Sequence, residues 1–406
     1  MLTSIHIGTA ALTAYSKGLD TISHNISNLN TLGFKSSQAQ FAAQFSQGRG
    51  EQGNAQGNAV GGGVSGLNTA VNFKPGDYSE TGNKLQLAID GNSFFVLKDA
   101  KGNYSYTKNG NFHLADGYLV NDAGLRVQGL DAGGGLRDIS INELKTTAGS
   151  PTTTLKYPAG LGSVLSTALT THTTTSAPFT VYDRAGGATQ LSMVYTDENP
   201  PTSGTYTHIP GLNRWKVEVK DAGGAVIATD HVEFDALGQP LAAHNSFAFT
   251  YTPSGSGPMN LTLSYANLTS SSSGLASTAI PVNPDGYGRG GMTSSEFDAE
   301  GNFAVTYSNG QSDKTQKIAL ARFDSANGLR QIDGGTFVNE GGAGPAIGAQ
   351  GGQFGAVKVG FLEQSNVDLS REFSDIILMQ RGFQAATELI STANQMMGNV
   401  LEMKGR

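Results

Sequence analysis

The sequence contains no cysteine among its 406 residues, which excludes disulfide bonds, thiol nucleophiles and thiolate metal sites. Charged residues are scarce, at 15% compared with about 25% in typical soluble domains. Lysine and arginine form no cluster and the formal net charge is −7, so we expect no nucleic-acid partner. No apolar run approaches the roughly 18 residues that span a bilayer, so we expect no membrane insertion.

Glycine is the residue in excess, with 55 copies, about twice the usual share of roughly 7%. A chain rich in glycine, serine, threonine and asparagine suits many short strands joined by tight turns. The length predicts two to four domains. The first residues lack a basic segment, a sustained apolar stretch and an Ala-x-Ala site, so we expect no cleaved secretory signal.

Residues 1–32 have the apolar spacing of a coiled-coil helix, with alternating steps of three and four over more than three heptads. Only one position of the two rows is not apolar, and Gly33 is placed to end the helix as its C′ residue. The rows are Ile5, Leu12, Leu19 and Ile26, and Gly8, Tyr15, Ile22 and Leu29.

Residues 367–404 repeat this pattern near the other end of the chain. Asp368 and Ser370 are placed to cap the start of the predicted helix. Small residues in one row would let a partner helix approach closely. The rows are Leu369, Ile376, Phe383, Ile390 and Met397, and Met379, Ala386, Ala393 and Val400.

Each segment taken alone also fits an amphipathic helix that packs on its own globular core. The two segments lie at opposite ends of a β-rich chain, however, and neither is followed by obvious helical partners. They most simply pair with each other, and their remaining apolar surface then needs copies from other molecules.

The middle of the chain has the short alternating runs of β-strands, separated by turns of the form Asp-x-x-Gly. In such turns the aspartate side chain holds the backbone and glycine takes the positive-φ position. None carries the run of oxygen ligands of a calcium loop, so we interpret them as hairpin turns. The strand candidates are Leu85–Ile89, Phe94–Leu97, Trp215–Val219, Val232–Phe234, Leu261–Leu263 and Phe303–Tyr307.

Three stretches, 47–66, 146–178 and 270–291, have the composition of flexible boundaries. They predict a mixed, mainly β fold in which N- and C-terminal coiled-coil helices pair, with nested β-barrel-like or sandwich-like domains between them. The expected parts are a helical assembly domain (1–32 plus 366–406), a neck or linker region (33–66 plus 350–365), a first β domain (67–145 plus 285–349) and an inserted outer β domain (146–284).

A search for catalytic chemistry finds little. Gly61, Gly63 and Gly66 spell G-x-G-x-x-G, but no strand precedes them and no helix follows. The seven histidines have no metal-ligand spacing. We therefore expect no catalytic, cofactor-binding or metal-binding residues, no cofactor and no enzyme activity. Carboxylates that converge in space would make an enzyme instead, and a binding module would keep its ligand activity after loss of both ends.

The ends resemble the bacterial flagellar axial family of rod, hook and hook-associated proteins. The segment His24–Lys35 matches the family pattern N-N-x-A-N-x-x-T-x-G-F-K. The blocks Leu362–Phe373 and Gln380–Ala385 match L-E-x-S-N-V-D-L and Q-R-x-Y-Q-A, with Phe383 in place of the usual tyrosine. The residues that match the first pattern are Asn25, Asn28, Thr31, Gly33, Phe34 and Lys35.

The resemblance implies a structural subunit whose end helices assemble into a tube. Its length and inserted domain favour the hook subunit, a curved flexible joint that transmits torque from rod to filament. A distal rod subunit or a hook-associated junction protein is the alternative. The residues expected to carry assembly are Ile5, Leu12, Leu19, Ile22, Asn25, Ile26, Asn28, Leu29, Gly33, Phe34, Leu369, Ile376, Met379, Phe383, Ile390 and Met397.

The resemblance also implies the partners of the chain. These are further copies of itself in a helical homopolymer, the flagellar rod, the hook cap and the hook–filament junction proteins. It further implies export through the flagellar type III apparatus and an extracellular location in the flagellum.

Overall fold

The computed structural model describes residues 2–45, 61–158, 164–166, 173–198, 213–255, 257–271, 279–332, 335–341 and 344–404. These residues form two long helices, α1 (Leu2–Ser27) and α2 (Leu369–Lys404), with short strands between them. The mixed, mainly β fold expected from the sequence, with terminal helices that pack together, is therefore confirmed. No helix in the described part of the chain is long and apolar enough to cross a membrane.

The strands before residue 160 are short apart from the first two, which form a long hairpin. They are β1 (Ser37–Phe45), β2 (Gly61–Val71), β3 (Tyr78–Glu80), β4 (Leu87–Asp90), β5 (Phe94–Lys98), β6 (Tyr104–Thr107), β7 (His113–Ala115), β8 (Tyr118–Val120), β9 (Arg126–Leu130), β10 (Leu136–Asp138), β11 (Thr146–Thr147) and β12 (Thr154–Lys156).

The strands that follow include the longest ones outside the hairpin. They are β13 (Val164–Ser166), β14 (Thr173–Ser176), β15 (Phe179–Tyr182), β16 (Ala188–Asp197), β17 (Asn213–Asp221), β18 (Val226–Phe234), β19 (Ser246–Tyr251), β20 (Met259–Ser264), β21 (Thr269–Ser271), β22 (Ala279–Ile280), β23 (Asn283–Pro284) and β24 (Gly290–Phe297).

The last strands lead back to the second helix. They are β25 (Asn302–Tyr307), β26 (Ser312–Ile318), β27 (Leu320–Arg322), β28 (Leu329–Gln331), β29 (Thr336–Asn339), β30 (Ala346–Gly348), β31 (Ala356–Val359) and β32 (Phe361–Glu363). Single 3₁₀ turns lie at Ala242–His244, Ala326–Gly328 and Gly352–Phe354. Each strand candidate from the sequence overlaps an observed strand, which confirms the alternation-based predictions.

The chain forms two compact units. The first comprises Met1–Asn142, Ser295–Val305 and Asp313–Arg406, and the second comprises Glu143–Ser294 and Thr306–Ser312. The first unit contains both helices, the β1–β2 hairpin and an antiparallel run of strands in the order β26-β9-β5-β6-β29-β28. Its core includes Phe94, Val96, Tyr106, Leu130, Ala319, Ala321, Leu329 and Phe337.

The second unit contains two larger sheets, with strand orders β18-β17-β16-β14-β22 and β19-β20-β12-β23, and a two-stranded parallel sheet of β13 and β21. One hydrophobic core, centred on the fully buried Trp215, draws side chains from both larger sheets. Strand β17 shows why the sequence alternates here, because Trp215, Val217 and Val219 all point into this core. The second unit is therefore a sandwich-like β structure.

The Asp-x-x-Gly segments are hairpin turns, as predicted. In the five segments that begin at Asp99, Asp183, Asp221, Asp235 and Asp298 the glycine has positive φ, for example 92° at Gly102 and 72° at Gly301. Asp298 illustrates the role of the aspartate, because its Oδ1 accepts hydrogen bonds from the backbone N–H groups of Glu300 and Asn302 at 3.1 and 2.8 Å. The side chain thus fixes the turn that glycine makes accessible.

Two local predictions were wrong. Helix α1 ends at Ser27 instead of near residue 32, and Gly33, with φ of 67°, belongs to a later turn. The chain leaves the helix early because the side chain of Asn28 bonds the backbone oxygen of His24, at 2.9 Å, and the hydroxyl of Thr31, at 3.1 Å.

The three stretches expected to be flexible also contain strands wherever they are described. Residues 61–66 begin strand β2, which pairs with β1 despite its glycines. Strands β11 to β14 lie within 146–178, and β22 and β23 lie within 270–291. Composition misled here because threonine and serine fit a half-buried strand as well as a loop. Residues 47–60, the rest of the first stretch, lie outside the described residues.

Candidate assembly site: the helix pair and the neck

The two terminal helices pack against each other in antiparallel orientation, and we call them the helix pair. Their contacts run in opposite order along the two helices. From one end to the other they are Gly8 with Ile390, Tyr15 with Gly382, Gly18 with Met379 and Asn25 with Glu372.

Three glycines allow this close approach, and each receives a larger side chain from the facing helix. A β-carbon added at Gly8 would lie 2.6 Å from Cγ1 of Ile390, and one at Gly18 would lie 3.0 Å from the sulfur of Met379. Gly382 lies directly against the ring of Tyr15. The separation of packed helices depends on the side chains at the contact, so these glycines determine how closely the pair packs.

The predicted apolar rows differ in their burial. In α1, Ile22 is buried, whereas Ile5, Leu12, Leu19 and Ile26 are half-buried; Leu29 lies in the turn beyond the helix end and is also half-buried. In α2, the small residues Ala386 and Ala393 are the buried ones, and Ile376, Met379, Ile390 and Met397 are half-buried. Leu369 and Phe383 are exposed.

Helix α1 is covered on a second side by the β1–β2 hairpin, whose strands both contact it. The rings of Tyr15 and Phe41 lie 5.7 Å apart at this contact. Within the residues that the structure describes, no strand covers α2 to a similar extent, and this helix shows a second apolar face, which we call the outer stripe. Its members share one helical face and are 53–81% exposed: Leu378, Met396 and Met403.

The segments that enter and leave the helix pair meet in a compact cluster, which we call the neck. It is built from Asn25, Lys35, Glu363, Asn366 and Glu372. Asn25 is 1% exposed and uses its whole amide. Its Nδ2 donates to the oxygen of Ser37 at 2.8 Å and to Oε1 of Glu372 at 3.0 Å, and its Oδ1 accepts from the Ser37 N–H at 2.9 Å.

Lys35 and Glu363 form a fully buried ion pair in the neck, with 2.5 Å between Nζ and Oε1. Lys35 Nζ also donates to the backbone oxygen of Lys74 at 2.8 Å, and the Gly76 N–H donates to Glu363 Oε1 at 2.9 Å. The pair therefore joins the segment after α1, the segment after β2 and the strand before α2. Such a pair is stable in a dry site only when further hydrogen bonds support it.

Asn366 joins the same three segments a few residues later. Its Oδ1 accepts from the Ser36 N–H at 2.8 Å, and its Nδ2 donates to the oxygens of Asn72 and Lys74 at 2.8 and 2.9 Å. Asp368 follows and caps α2, because its Oδ1 accepts from the N–H groups of Ser370 and Arg371 at 2.9 and 3.3 Å.

Gly33 and Phe34 fit tightly into the neck. Phe34 is 1% exposed and lies with its ring 5.5 Å from that of His24. A β-carbon at Gly33 would lie 2.5 Å from the backbone nitrogen of Asn109, and the Gly33 N–H donates to the oxygen of Glu363 at 2.7 Å. Positive φ and this contact both require glycine here.

Burial strongly perturbs two ionisable groups near the ion pair. Desolvation lowers the pKa of Lys108 to about 8, although the charge of Glu363 opposes the shift. The ammonium donates to the oxygen of Gly91 at 2.7 Å and lies 5.2 Å from the ring centre of Phe94. Burial and the charges of Glu363 and Asp90 raise the pKa of Tyr78 to about 12.

Sequence reasoning missed several residues of the neck. Lys35, Glu363, Asn366 and Glu372 all lie within the two matched end motifs, yet none was nominated as an assembly residue. The signal that points to Lys35 and Glu363 is an isolated charge whose immediate neighbours in the sequence are apolar or neutral. Within the described residues, no group of three or more histidines, aspartates and glutamates is placed to hold a metal ion.

The chain matches three known families along its length. Residues 5–35 match "Flagella basal body rod protein", residues 88–154 match "Flagellar hook protein FlgE/F/G D1 domain", and residues 358–403 match "Flagellar basal body rod FlgEFG protein C-terminal". The first and last matches cover most of the helix pair and much of the neck. Together they define the class as structural subunits of the flagellar rod and hook.

Full-length relatives narrow this class. The flagellar hook protein FlgE of Escherichia coli K12 is 31% identical, over 97% of this chain and 98% of its own length. That of Borreliella burgdorferi is 28% identical over the whole of both chains. The chain belongs to the flagellar hook protein family. The crystal structure of Helicobacter pylori flagellar hook protein FlgE2 covers 71% of this chain and 98% of its own, at 15% identity and a TM-score of 0.45.

Proposed function

We propose that this hook-family chain polymerises into a curved tube that acts as a flexible joint and transmits torque from the flagellar rod to the filament. The observation that supports this most directly is the outer stripe of α2. The apolar rows of the helix pair contact each other within one chain, whereas the outer stripe is apolar and more than half exposed. An uncovered apolar face of this kind marks an interaction surface.

In this proposal the residues of the predicted apolar rows and the outer stripe have different roles. The residues of the rows hold α1 and α2 together and so form the assembly domain, residues 1–32 plus 366–406. The outer stripe then contacts helices of neighbouring copies. A repeated head-to-tail contact that does not close produces a helical polymer, which is the form of a tube.

The linker region, residues 33–66 plus 350–365, carries the ion pair of the neck and connects this assembly domain to the β domains. We propose that this ion pair, together with Asn25 and Asn366, transmits force between them, because these residues bond separate chain segments to one another. The first β domain (67–145 plus 285–349) and the inserted outer domain (146–284) then form the outer layers of the tube. The subunit is a structural protein without enzymatic activity and acts outside the cell.

We further propose the partners and the export route implied by family membership. The polymer grows on the rod beneath the hook cap, ends at the hook–filament junction proteins and receives subunits through the type III export apparatus.

The test replaces residues of the outer stripe and leaves the apolar rows between α1 and α2 unchanged. In the double variant Leu378→Ser/Met396→Ser, purified monomer should keep the helical circular dichroism of the parent chain but fail to sediment as tubes. The matched control is Leu237→Ser, because Leu237 is 85% exposed but lies in a turn of the second unit. Tubes formed equally by all three proteins would contradict the proposed role of the stripe.

A further inference from the structure

A cavity of about 260 Å³ opens beside the neck, at the start of α2. All of its charged lining residues come from α2 or from the residue that caps it: Asp368, Arg371, Glu372 and Asp375. The elements packed against them contribute only neutral groups, from Ile22 of α1, residues 36–39 around the start of β1, and Asn72 and Asn366. Three carboxyl groups therefore share this small space with one guanidinium group.

Glu372 is the carboxyl group in this set that is withdrawn from water. Its side chain lies in the first turn of α2 and the residue is 7% exposed, whereas Asp368 and Arg371 are exposed and Asp375 is half-buried. Its Oε1 accepts a hydrogen bond from Nδ2 of Asn25, a neutral donor. A buried carboxylate held by a neutral amide is a costly arrangement, because burial disfavours the charged form.

The position of Glu372 allows its charge to affect the contacts among three elements, α1, α2 and the β1–β2 hairpin. Asn25 belongs to α1 and also binds both backbone groups of Ser37 at the start of β1. Glu372 thus lies at the point where α1, α2 and the hairpin meet. Whatever stabilises its side chain in this place stabilises the antiparallel pairing of the helices and the entry of the chain into the neck.

We propose that Glu372 is a proton-operated latch, so that uptake of a proton from the cavity stabilises the junction of α1, α2 and β1 and favours the helix pair that assembles. This inference rests on the proposed function, because it assigns a regulatory role to the same assembly domain. A protonated carboxyl group keeps an oxygen that accepts from Asn25 and gains an O–H that donates into the cavity. It also no longer repels Asp375 and Asp368.

The balance of electrostatic effects at the site favours the protonated form of Glu372. Burial raises the pKa of Glu372, and the charges of Asp375 and Asp368 add to the shift, while the Asn25 hydrogen bond and Arg371 oppose it. A carboxyl group with a raised pKa in the folded state binds its proton more tightly there than in the unfolded chain. Stability therefore rises as the pH falls through the folded-state pKa and levels off below the ordinary value of a glutamate.

The experiment compares the full-length chain with Glu372→Gln, in which the side chain is permanently neutral and nearly isosteric. Two quantities are measured between pH 8 and pH 4: the thermal unfolding midpoint of the helices by circular dichroism, and the critical concentration for polymerisation by sedimentation. In the parent chain the midpoint should rise and the critical concentration should fall on acidification. In Glu372→Gln both changes should shrink, and at pH 8 the variant should exceed the parent in stability.

The matched control is Glu388→Gln, which makes the same chemical change at an exposed position of α2. It should keep the full pH dependence of the parent chain. An unchanged pH dependence in Glu372→Gln, or an equal loss in Glu388→Gln, would overturn the latch. Failure of every protein to polymerise at any pH would instead contradict the proposed function, and the unfolding midpoints would still decide the role of Glu372.

Discussion

Lys35 and Glu363 form a buried ion pair although 328 positions separate them along the chain. The contact brings the exit of the first helix beside the entry to the second. Because both side chains have no exposed surface, neither charge can turn to solvent if the other is lost. The pair therefore links the stability of the two ends of the chain, in addition to the contacts between the helices.

Loss of one partner should be severe. In Lys35→Met the carboxylate of Glu363 remains buried with the Gly76 N–H as its remaining hydrogen-bond donor, and breaking a buried pair in this way costs about 3–5 kcal/mol. Chemical denaturation at neutral pH, followed by circular dichroism, measures the loss. A decrease below about 1 kcal/mol, the range of surface ion pairs, would contradict the account.

Two further variants separate charge from packing in this experiment. The double variant Lys35→Met/Glu363→Leu should recover a large part of the lost stability, because no charge is then left unpaired. Arg330→Gln breaks the pair of Arg330 with Glu340, whose side chains are both 56% exposed, and should cost less than about 1 kcal/mol.

Lys108 should make stability depend on pH in the alkaline range. Its pKa is lowered by burial to about 8 in the folded chain, so the folded state binds this proton less tightly than the unfolded state does. Stability should therefore rise between about pH 8 and pH 10.5, at no more than about 1.4 kcal/mol per pH unit.

The measurement compares urea unfolding of the parent chain and Lys108→Met across this range. The difference between the two proteins isolates Lys108 from other groups that titrate there. Lys108→Met should be the more stable protein at pH 7, and its advantage should decline as the pH rises. An advantage that stays constant with pH would show that the lysine is not desolvated as described.

The stability change caused by substituting a glycine of α2 should depend on which atoms the added β-carbon would meet. In Gly382→Ala the new methyl group meets the ring of Tyr15, and overpacking of this kind costs about 1–3 kcal/mol. In Gly398→Ala, on the same helix, nothing lies within 4 Å, and the gain in helix propensity should stabilise by up to about 1 kcal/mol. Thermal unfolding of the two variants should shift in opposite directions, and equal shifts would contradict the packing described.

Removal of residues 1–30 and 367–406 should leave a folded, monomeric β protein. The buried ion pair lies outside both deletions, so the strands around the neck keep their connection. Analytical ultracentrifugation should find no polymer at concentrations where the full chain forms tubes. Tube formation by the trimmed chain would show that the helices are not the assembling elements.

Much of this architecture follows from spacing in the sequence. Steps of three and four residues locate both helices, and Asp-x-x-Gly marks hairpin turns because the aspartate and the glycine each do a local task. The early end of α1 at Ser27 was not foreseen, since it depends on side-chain bonds of Asn28 that compete with continuing helix. Heptad spacing also does not reveal the close glycine contacts of the helix pair, in which Gly18 of α1 and Gly382 of α2 each face a larger side chain of the other helix.

The contacts of the neck could not be predicted from the sequence for a different reason. Lys35, Asn366 and Glu372 act through partners hundreds of positions away, and no local pattern reports a contact of that range. Burial of a charged side chain is uncommon enough that the ordinary expectation for a lone lysine or glutamate is a solvated surface. Only the folded chain brings these residues together.

Electron microscopy of basal bodies from a strain of the source organism that lacks this gene tests the central claim most directly. The account predicts basal bodies with a complete rod and no curved hook, and hooks that return when the gene is restored. Truncated rods would identify a rod subunit, and intact hooks without filaments would identify a junction protein. Normal, fully flagellated cells would contradict the account.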